Sequence, residues 1–171
     1  MTETVQKRCG FIAVIGAPNA GKSTLVNALV GAKVSIVTPK PQTTRMRIRG
    51  IAVEGAAQLI FIDTPGIFAK PRRRLERAMI AAAWDGAADA DLVLLVIDAA
   101  RGLDDETAKI LPRLGEKGRH AILVINKVDL APYVRVDLDR MVGEARAVRS
   151  GRPILLTNCA TGEGVDAIVA Q

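Results

Sequence analysis

Eight consecutive residues near the start of the chain have the composition of a phosphate-binding loop. They read Gly16-Ala17-Pro18-Asn19-Ala20-Gly21-Lys22-Ser23, which is the pattern G-x-x-x-x-G-K-S. Glycines in such a loop let the backbone curl until successive N–H groups point at a phosphate, and a helix that follows adds a favourable dipole. The Lys22 ammonium would hold the β and γ phosphates, and the Ser23 hydroxyl would ligate Mg²⁺. The segment therefore predicts a nucleoside triphosphate site.

A second motif supplies a carboxylate and a glycine. Asp63-Thr64-Pro65-Gly66 follows the apolar run from Gln58 to Ile62. Asp63 can hold Mg²⁺ through water, and Gly66 leaves its N–H free to meet a γ-phosphate. By itself, D-x-x-G usually marks a turn. Because it follows a strand and lies downstream of a phosphate loop, we interpret it as the sensor of the third phosphate.

A third motif has the chemistry to select a base. Asn126-Lys127-Val128-Asp129 follows the run from Ala121 to Ile125. Guanine presents two adjacent donors, N1–H and the N2 amine, which the Asp129 carboxylate can accept together, whereas adenine has an acceptor at N1. Asn126 would connect the base edge to the phosphate loop, and the aliphatic stem of Lys127 would lie along the base. The motif favours GTP over ATP.

The loop after the last apolar run has two interpretations. In the segment Thr157-Asn158-Cys159-Ala160-Thr161, a backbone N–H near Ala160 could contact the guanine O6, because the small side chains permit a close approach. Alternatively, the segment only connects a strand to a helix, with Gly162 and Gly164 as turn residues.

The elements that must position these motifs alternate along the chain. Short runs rich in Val and Ile alternate with longer helical segments, which is typical of a mostly parallel sheet covered by helices. Gly55 predicts a hairpin and hence one antiparallel strand. The predicted strands are Gly10 to Ile15, Arg47 to Val53, Gln58 to Ile62, Leu92 to Ile97, Ala121 to Ile125 and Ile154 to Thr157. The predicted helices are Lys22 to Leu29, Leu75 to Ala87, Asp104 to Leu114, Val136 to Val148 and one beginning near Gly164.

These elements predict an α/β fold with a six-stranded sheet and helices on both faces. Ligands of open α/β sheets bind beyond the carboxyl ends of the strands, and each of the three motifs directly follows a strand. Two side-chain patterns complete the prediction. The helically spaced residues Leu75, Met79, Ile80 and Trp84 are expected to contact the core, and Asp104-Asp105-Glu106 is expected to form an acidic first helical turn.

Length, cysteine content and charge limit the class of protein. A chain of 171 residues is expected to form one domain, and its two distant cysteines do not make a disulfide framework, so a reducing cytoplasm is the expected location. The longest apolar runs are too short to span a bilayer. The net charge of +6 comes from residues 40–77, which contain nine basic and three acidic residues. Such a segment fits either a polyanionic partner or a solubilising surface.

The motifs resemble those of translation-factor-type GTPases, and more closely those of the Era family of bacterial ribosome-assembly GTPases. The resemblance covers nearly the whole chain and is carried by residues 16–27, Lys33-Val34-Ser35-Ile36-Val37-Thr38 and Gln42-Thr43-Thr44-Arg45. It implies the three-layer P-loop GTPase fold, with switch one at Ala32 to Thr44 and switch two from Asp63 to about Lys70. The nucleotide-binding residues that it implies are Gly16, Ala17, Pro18, Asn19, Ala20, Gly21, Lys22, Ser23, Thr24, Asp63, Thr64, Gly66, Asn126, Lys127, Asp129, Cys159 and Ala160.

The same resemblance assigns catalytic and metal-binding roles. Lys22, Thr44 and Gly66 are the expected catalytic residues, and Ser23, Thr44 and Asp63 the expected Mg²⁺ ligands, with Thr43 as the alternative to Thr44. Ile67 occupies the position at which Ras-like proteins carry a glutamine that orients the attacking water. Relatives with an apolar residue there often use K⁺, bound by the asparagine of the phosphate loop, here Asn19. Slow hydrolysis that K⁺ stimulates is therefore expected.

The resemblance also implies partners. Era-family proteins continue into a C-terminal KH domain that binds ribosomal RNA, and no such module follows Gln171 in this chain, so residues 1–171 are expected to be the G domain alone. For the full-length protein, the resemblance implies the small ribosomal subunit or its RNA as partner, a peripheral membrane contact and a monomeric state. Cys159 stands where the family usually has serine.

Three alternatives to a GTPase switch stay open on the sequence. A nucleotide-gated binding module with negligible hydrolysis is compatible with the absence of the water-orienting glutamine. A metallochaperone-type GTPase would need metal ligands, and the chain offers only His120 and two separated cysteines. A P-loop kinase would leave Asn126 and Asp129 without a role.

Overall fold

One six-stranded sheet forms the centre of the computed structural model, which describes residues 7–38, 44–116, 121–134, 136–149 and 151–170. Its strand order is β2-β3-β1-β4-β5-β6. Strand β2 runs antiparallel to β3, and all other neighbours are parallel. The strands are β1 (Arg8–Gly16), β2 (Ile48–Glu54), β3 (Ala57–Asp63), β4 (Leu92–Asp98), β5 (Ala121–Asn126) and β6 (Ile154–Thr157). The predicted fold and its antiparallel hairpin, with Gly55 at φ 55°, are confirmed.

The helices lie close to their predicted positions. They are α1 (Lys22–Val30), α2 (Arg74–Ala88), α3 (Asp105–Glu116), α4 (Leu138–Arg149) and α5 (Asp166–Val169). Helix α4 begins two residues later than Val136, because the Asp137 carboxylate accepts the Arg140 N–H at 2.9 Å and so caps the helix. A 3-10 helix, Val128–Tyr133, was not predicted from the sequence. None of the described helices is long and apolar enough to cross a bilayer.

The core consists of two apolar layers, one on each face of the sheet. Alternate residues of β4 point to opposite faces, so Val93, Leu95 and Ile97 join one layer while Leu94 and Val96 join the other. Helices α2 and α3 cover the first layer with Ala83, Trp84, Ile110 and Leu114. Helices α1 and α5 cover the second with Leu25, Val26, Leu29 and Ile168.

The apolar side of α2 is shorter than its sequence predicts. Met79 and Trp84 are buried and Ile80 is half-buried, as expected. Leu75 is half exposed, so its prediction as a core contact is wrong. The buried stripe of α2 begins one turn later at Met79, because the first turn of the helix extends beyond the packed layer. The Arg113 guanidinium from α3 lies 4.3 Å from the centre of the Trp84 ring.

The acidic turn of α3 has the predicted structural role. Asp105 and Glu106 occupy the first turn, and Asp104 caps the helix by accepting the Thr107 N–H at 2.8 Å. Carboxylates in these positions complement the partial positive charge of the helix N-terminus.

Candidate functional site

The loop between β1 and α1 requires glycine at both ends. At Gly16, φ is 153° and an added Cβ would lie 2.3 Å from the Val96 carbonyl oxygen. At Gly21, φ is 101° and an added Cβ would lie 2.1 Å from the Asn126 side-chain nitrogen. The predicted phosphate loop therefore packs directly against the ends of β4 and β5, and no larger residue fits at either position.

Hydrogen bonds hold five successive carbonyl groups of this loop. Lys22 Nζ donates to the oxygens of Gly16, at 3.2 Å, and Ala17, at 2.8 Å. The next three oxygens accept from side chains of other elements: Pro18 from Arg101 at 3.1 Å, Asn19 from Lys127 at 2.9 Å and Ala20 from Asn126 at 2.9 Å. Because these carbonyl oxygens accept hydrogen bonds from the protein, they do not repel an anion that binds to the loop.

The Lys22 ammonium is buried beneath the loop. Only 6% of the residue is exposed. Burial lowers the pKa of Lys22 from 10.5 to about 8, although the nearby Asp63 and Glu106 carboxylates act in the opposite direction. A desolvated ammonium of this kind gains more from an incoming phosphate than a solvated one, because the low local polarity strengthens the attraction.

Three oxygen-bearing side chains from separate segments meet beside Lys22. Ser23 Oγ donates to Asp63 Oδ2 at 2.7 Å and lies 3.0 Å from Thr44 Oγ1, which in turn donates to Asp63 Oδ2 at 3.2 Å. The other carboxylate oxygen, Asp63 Oδ1, is buried and has no hydrogen-bond partner among the described residues. Two hydroxyls and a carboxylate with an unsatisfied oxygen are the donor set that Mg²⁺ prefers. Thr44 thus lies beside Ser23 and Asp63, while Thr43 lies outside the described residues.

The residues after Asp63 pack against the phosphate loop. Thr64 Oγ1 donates to the Val14 carbonyl at 2.7 Å. A Cβ at Gly66 would lie 2.8 Å from Pro18 Cα, and the Ile67 N–H donates to the Gly16 carbonyl at 3.1 Å. The Ile67 side chain is buried in the core layer beneath α2 and α3. Ile67 is therefore a packing residue and cannot orient a water molecule.

Asn126 connects the end of β5 to two loops. Its Nδ2 donates to Ala20, and its Oδ1 accepts the Cys159 N–H at 3.0 Å and the Thr157 hydroxyl at 3.4 Å. Asn126 is thus linked to the phosphate loop as predicted. The amide also fixes the loop after β6, a contact that the sequence did not indicate.

The remaining predicted base contacts occupy different environments. The Asp129 carboxylate is exposed at the start of the 3-10 helix. The Cys159 side chain points into the core, where burial raises the pKa of its thiol. The Ala160 N–H donates to Asn158 Oδ1 at 3.1 Å, so a guanine O6 would have to share or replace this hydrogen bond.

A cavity of about 420 Å³ covers the phosphate half of the site. Its lining brings the phosphate loop together with the segment after α1 and the residues after β3. The lining residues are Pro18, Asn19, Gly21, Lys22, Ser23, Thr24, Ile36, Val37, Thr38, Thr44, Thr64, Gly66 and Lys127.

Two functional neighbours were missed from the sequence. Asp98, at the end of β4, forms a 2.6 Å ion pair with Lys127, and Arg101 reaches the Pro18 carbonyl. The position of Asp98 at the carboxyl end of a predicted strand was a usable signal. Arg101 lies in a turn outside any motif, so only the folded chain brings it to the loop.

Comparisons with known proteins identify the family of the chain. The family model described as 50S ribosome-binding GTPase matches residues 11–127. GTPase Era from Bradyrhizobium sp. (strain ORS 278) is 54% identical over 159 residues, which make up 93% of this chain and 51% of that protein. The chain therefore spans about half the length of the curated relatives it matches.

Two solved structures show the same fold. A crystal structure of Era in complex with MgGDPNP and nucleotides 1506–1542 of 16S ribosomal RNA aligns with a TM-score of 0.88 at 34% identity, covering 96% of this chain and 56% of that one. NFeoB from S. thermophilus bound to GDP.AlF4- and K+ aligns with a TM-score of 0.74 at 25% identity, covering 94% of this chain and 60% of that one. The chain thus belongs to the family described as 50S ribosome-binding GTPase, and within it to the Era type, of which it carries the G domain.

Proposed function

We propose that this chain binds GTP and GDP and hydrolyses GTP, and that it works as a nucleotide-dependent molecular switch. The observation that carries the proposal is the meeting of Ser23, Thr44 and Asp63 beside the buried Lys22, at a loop whose carbonyl groups are all held by the protein. These side chains come from the phosphate loop, the end of switch one and the start of switch two. A γ-phosphate bound among them would hold both switches, and its loss would release them.

Mg²⁺ fits the donor set of this site. Ser23, Thr44 and Asp63 would hold the ion, and Asp63 Oδ1, which has no hydrogen-bond partner within the described part of the chain, supplies a reason for a cation there. Bound Mg²⁺ neutralises negative charge on the β and γ phosphates. The chain's own contribution is positional: the Lys22 ammonium would contact the phosphates, and the N–H of Gly66 would meet the γ-phosphate.

Guanine is the base that suits the site. The exposed Asp129 carboxylate can accept the two adjacent donors of guanine, and adenine offers no such pair. Asn126, which is fixed to Ala20 and to the loop after β6, places this motif at a defined distance from the phosphates.

A potassium ion is the second cation that we propose. Ile67 is buried and supplies no group for the attacking water, so charge that develops between the β and γ phosphates needs another source of stabilisation. Asn19 lines the cavity in a left-handed conformation, with φ 62°. The similar NFeoB structure, bound to GDP.AlF4- and K+, supports the same chemistry here.

Ribosomal RNA is the proposed partner of the full-length protein. The matched Era structure contains nucleotides of 16S ribosomal RNA, and we extend this partner class to a longer protein that carries the present G domain. A role in small ribosomal subunit assembly and 16S ribosomal RNA maturation follows from it. The C-terminal KH domain, the monomeric state, the peripheral membrane contact and the cytoplasmic location stay predictions from the resemblance.

Single-turnover GTP hydrolysis in matched KCl and NaCl buffers tests the proposal. We expect GTP cleavage in both salts and an acceleration of at least about tenfold in KCl. One added cation at the developing charge can lower the activation barrier by several kcal/mol. Asn19→Gly should remove the acceleration while it keeps GDP binding, since glycine tolerates φ 62° and lacks only the amide.

Three outcomes separate the alternatives. Tight GTP binding without cleavage in either salt would favour a nucleotide-gated binding module. Equal rates in both salts, with Asn19→Gly unaffected, would remove K⁺ from the mechanism. ATP binding as tight as GTP binding would contradict the guanine specificity that we assign to Asp129.

A further inference from the structure

Arg101 joins the phosphate loop to the first turn of α3. Its Nη1 donates to the Pro18 carbonyl at 3.1 Å. Its Nη2 contacts Asp104 Oδ2 at 2.6 Å and Glu106 Oε2 at 2.9 Å. Both carboxylates are less than a quarter exposed, so the guanidinium is held from one side by two acidic groups and reaches the loop on the other.

The turn that carries Arg101 is itself fixed. The N–H groups of Arg101 and Gly102 donate to the Asp98 carbonyl at 3.1 and 2.9 Å, and the Ala100 N–H donates to Asp98 Oδ1 at 3.0 Å. The Ala99 N–H donates to the Asn126 carbonyl at 2.8 Å. The backbone of Arg101 is thus anchored to the ends of β4 and β5, and its side chain needs little further ordering to reach Pro18.

The Pro18 carbonyl differs from its neighbours in the origin of its donor, because Arg101 lies outside the nucleotide-binding motifs. This carbonyl precedes Asn19, which has a left-handed backbone at φ 62°. The neighbouring carbonyls are bound by residues of the nucleotide-binding motifs, namely Lys22, Lys127 and Asn126. Arg101 completes the series from outside those motifs.

The carboxylates of Asp104 and Glu106 explain why the donor to Pro18 is a guanidinium. Glu106 is close enough to Lys22 to influence its pKa, so an unpaired carboxylate there would act on the phosphate site. A guanidinium can bind the carbonyl through one nitrogen and both carboxylates through another, whereas an ammonium is a single point charge.

We infer that Arg101 is a positioning residue for the bound nucleotide: it holds the Pro18 carbonyl outward and thereby fixes the phosphate loop in its anion-binding conformation. The inference rests on the proposed nucleotide function. It concerns the phosphates and not the base, because Arg101 contacts the loop only at Pro18 among the described residues.

The dissociation rate of the fluorescent nucleotide mant-GDP from the intact chain tests this role. Arg101→Ala should accelerate dissociation by about five- to tenfold, the size expected for one charge-assisted hydrogen bond at a partly exposed site. Arg101→Lys should recover part of the loss, because the ammonium can still reach the Pro18 carbonyl. The unfolding midpoint of the nucleotide-free chain should stay within about 2 °C of the wild-type value, since a partly exposed ion pair near the surface contributes little to stability.

Arg140→Ala is the matched control. It removes the same side chain and a 2.8 Å ion pair with Glu144, but on α4, away from the loop. Its mant-GDP dissociation rate should equal that of the wild type.

A mant-GDP dissociation rate of Arg101→Ala equal to the wild-type rate would overturn this inference and leave the proposed function intact. Faster dissociation in Arg101→Ala, together with a clearly lowered unfolding midpoint and no recovery in Arg101→Lys, would also overturn the inference. Such a result would indicate general destabilisation of the chain. A wild-type chain that binds no mant-GDP would overturn the proposed function and this inference with it.

Discussion

At the scale of single residues, the buried Lys22 ammonium makes nucleotide binding depend on pH. Burial lowers the pKa of Lys22 to about 8. Below this pH the free chain already carries the charge that the phosphates require. Above it the free chain has lost the proton, and binding must take one up from solution. GDP affinity should therefore fall as the pH rises, and at pH 9 it should be about tenfold lower than at pH 7.

Calorimetric titration of GDP between pH 7 and pH 9 measures this dependence. Lys22→Arg is the control, because a guanidinium stays charged over the whole range and its profile should be flat even if its affinity is lower. A wild-type affinity that does not change between these pH values would show that the ammonium is not titrated in the free chain.

At the scale of elements, the contact between the phosphate loop and the end of β5 depends on glycine at position 21. A Cβ there would displace the Asn126 side chain, and φ of 101° is unfavourable for alanine. Gly21→Ala should lower the free energy of unfolding by about 2 to 4 kcal/mol, because it adds backbone strain and breaks a buried hydrogen bond. It should also abolish mant-GDP binding.

Urea denaturation of Gly21→Ala beside Gly143→Ala checks this prediction. Gly143 lies within α4, and an added Cβ would meet no atom within 4 Å. Gly143→Ala should therefore raise the free energy of unfolding by about 0.5 to 1 kcal/mol, as expected for glycine replaced in a helix. Wild-type stability and mant-GDP binding in Gly21→Ala would contradict the packing of this glycine against Asn126.

At the scale of the whole molecule, the excess positive charge is concentrated in one segment, residues 40–77. All seven of its described arginines are exposed, and Arg47 forms a 3.0 Å ion pair with Asp89. None of these arginines contacts the phosphate loop among the described residues, so nucleotide binding does not account for the excess. The segment runs from the end of switch one to the helix after switch two, and the sequence predicts that it faces a ribosomal or RNA partner in a nucleotide-dependent way.

Charge reversal tests this prediction. Replacing Arg45, Arg49 and Arg72 together by glutamate should weaken GTP-dependent association with purified small ribosomal subunits by at least about tenfold. Each arginine that contacts an RNA phosphate releases bound counterions, and this favourable contribution is lost with the contact. The affinity for mant-GDP should not change. Association is measured by cosedimentation.

The control reverses three arginines outside the segment, Arg140, Arg146 and Arg152, and changes the net charge by the same amount. Equal weakening by both triple variants would show that total charge decides association. Unchanged association in the first variant would return the segment to a solubilising surface.

The sequence alone determined which strand each nucleotide-binding motif follows and at which edge of the sheet the motifs meet. Buried parallel strands appear as short apolar runs, and a motif that follows such a run must lie at its carboxyl end. This is why the six strands, the hairpin at Gly55 and the shared location of Lys22, Asp63 and Asn126 were predictable. The predicted helix boundaries lie within two residues of the observed ones.

Only the tertiary structure decided which groups complete the site. The contact of Arg101 with Pro18 joins residues 83 positions apart, and the link from Asn126 to Cys159 joins residues 33 positions apart. The exposure of Leu75 likewise depends on where the packed layer ends. Local sequence patterns report which face of an element is apolar, but contacts between distant residues follow from the packing of whole elements, which no local pattern encodes.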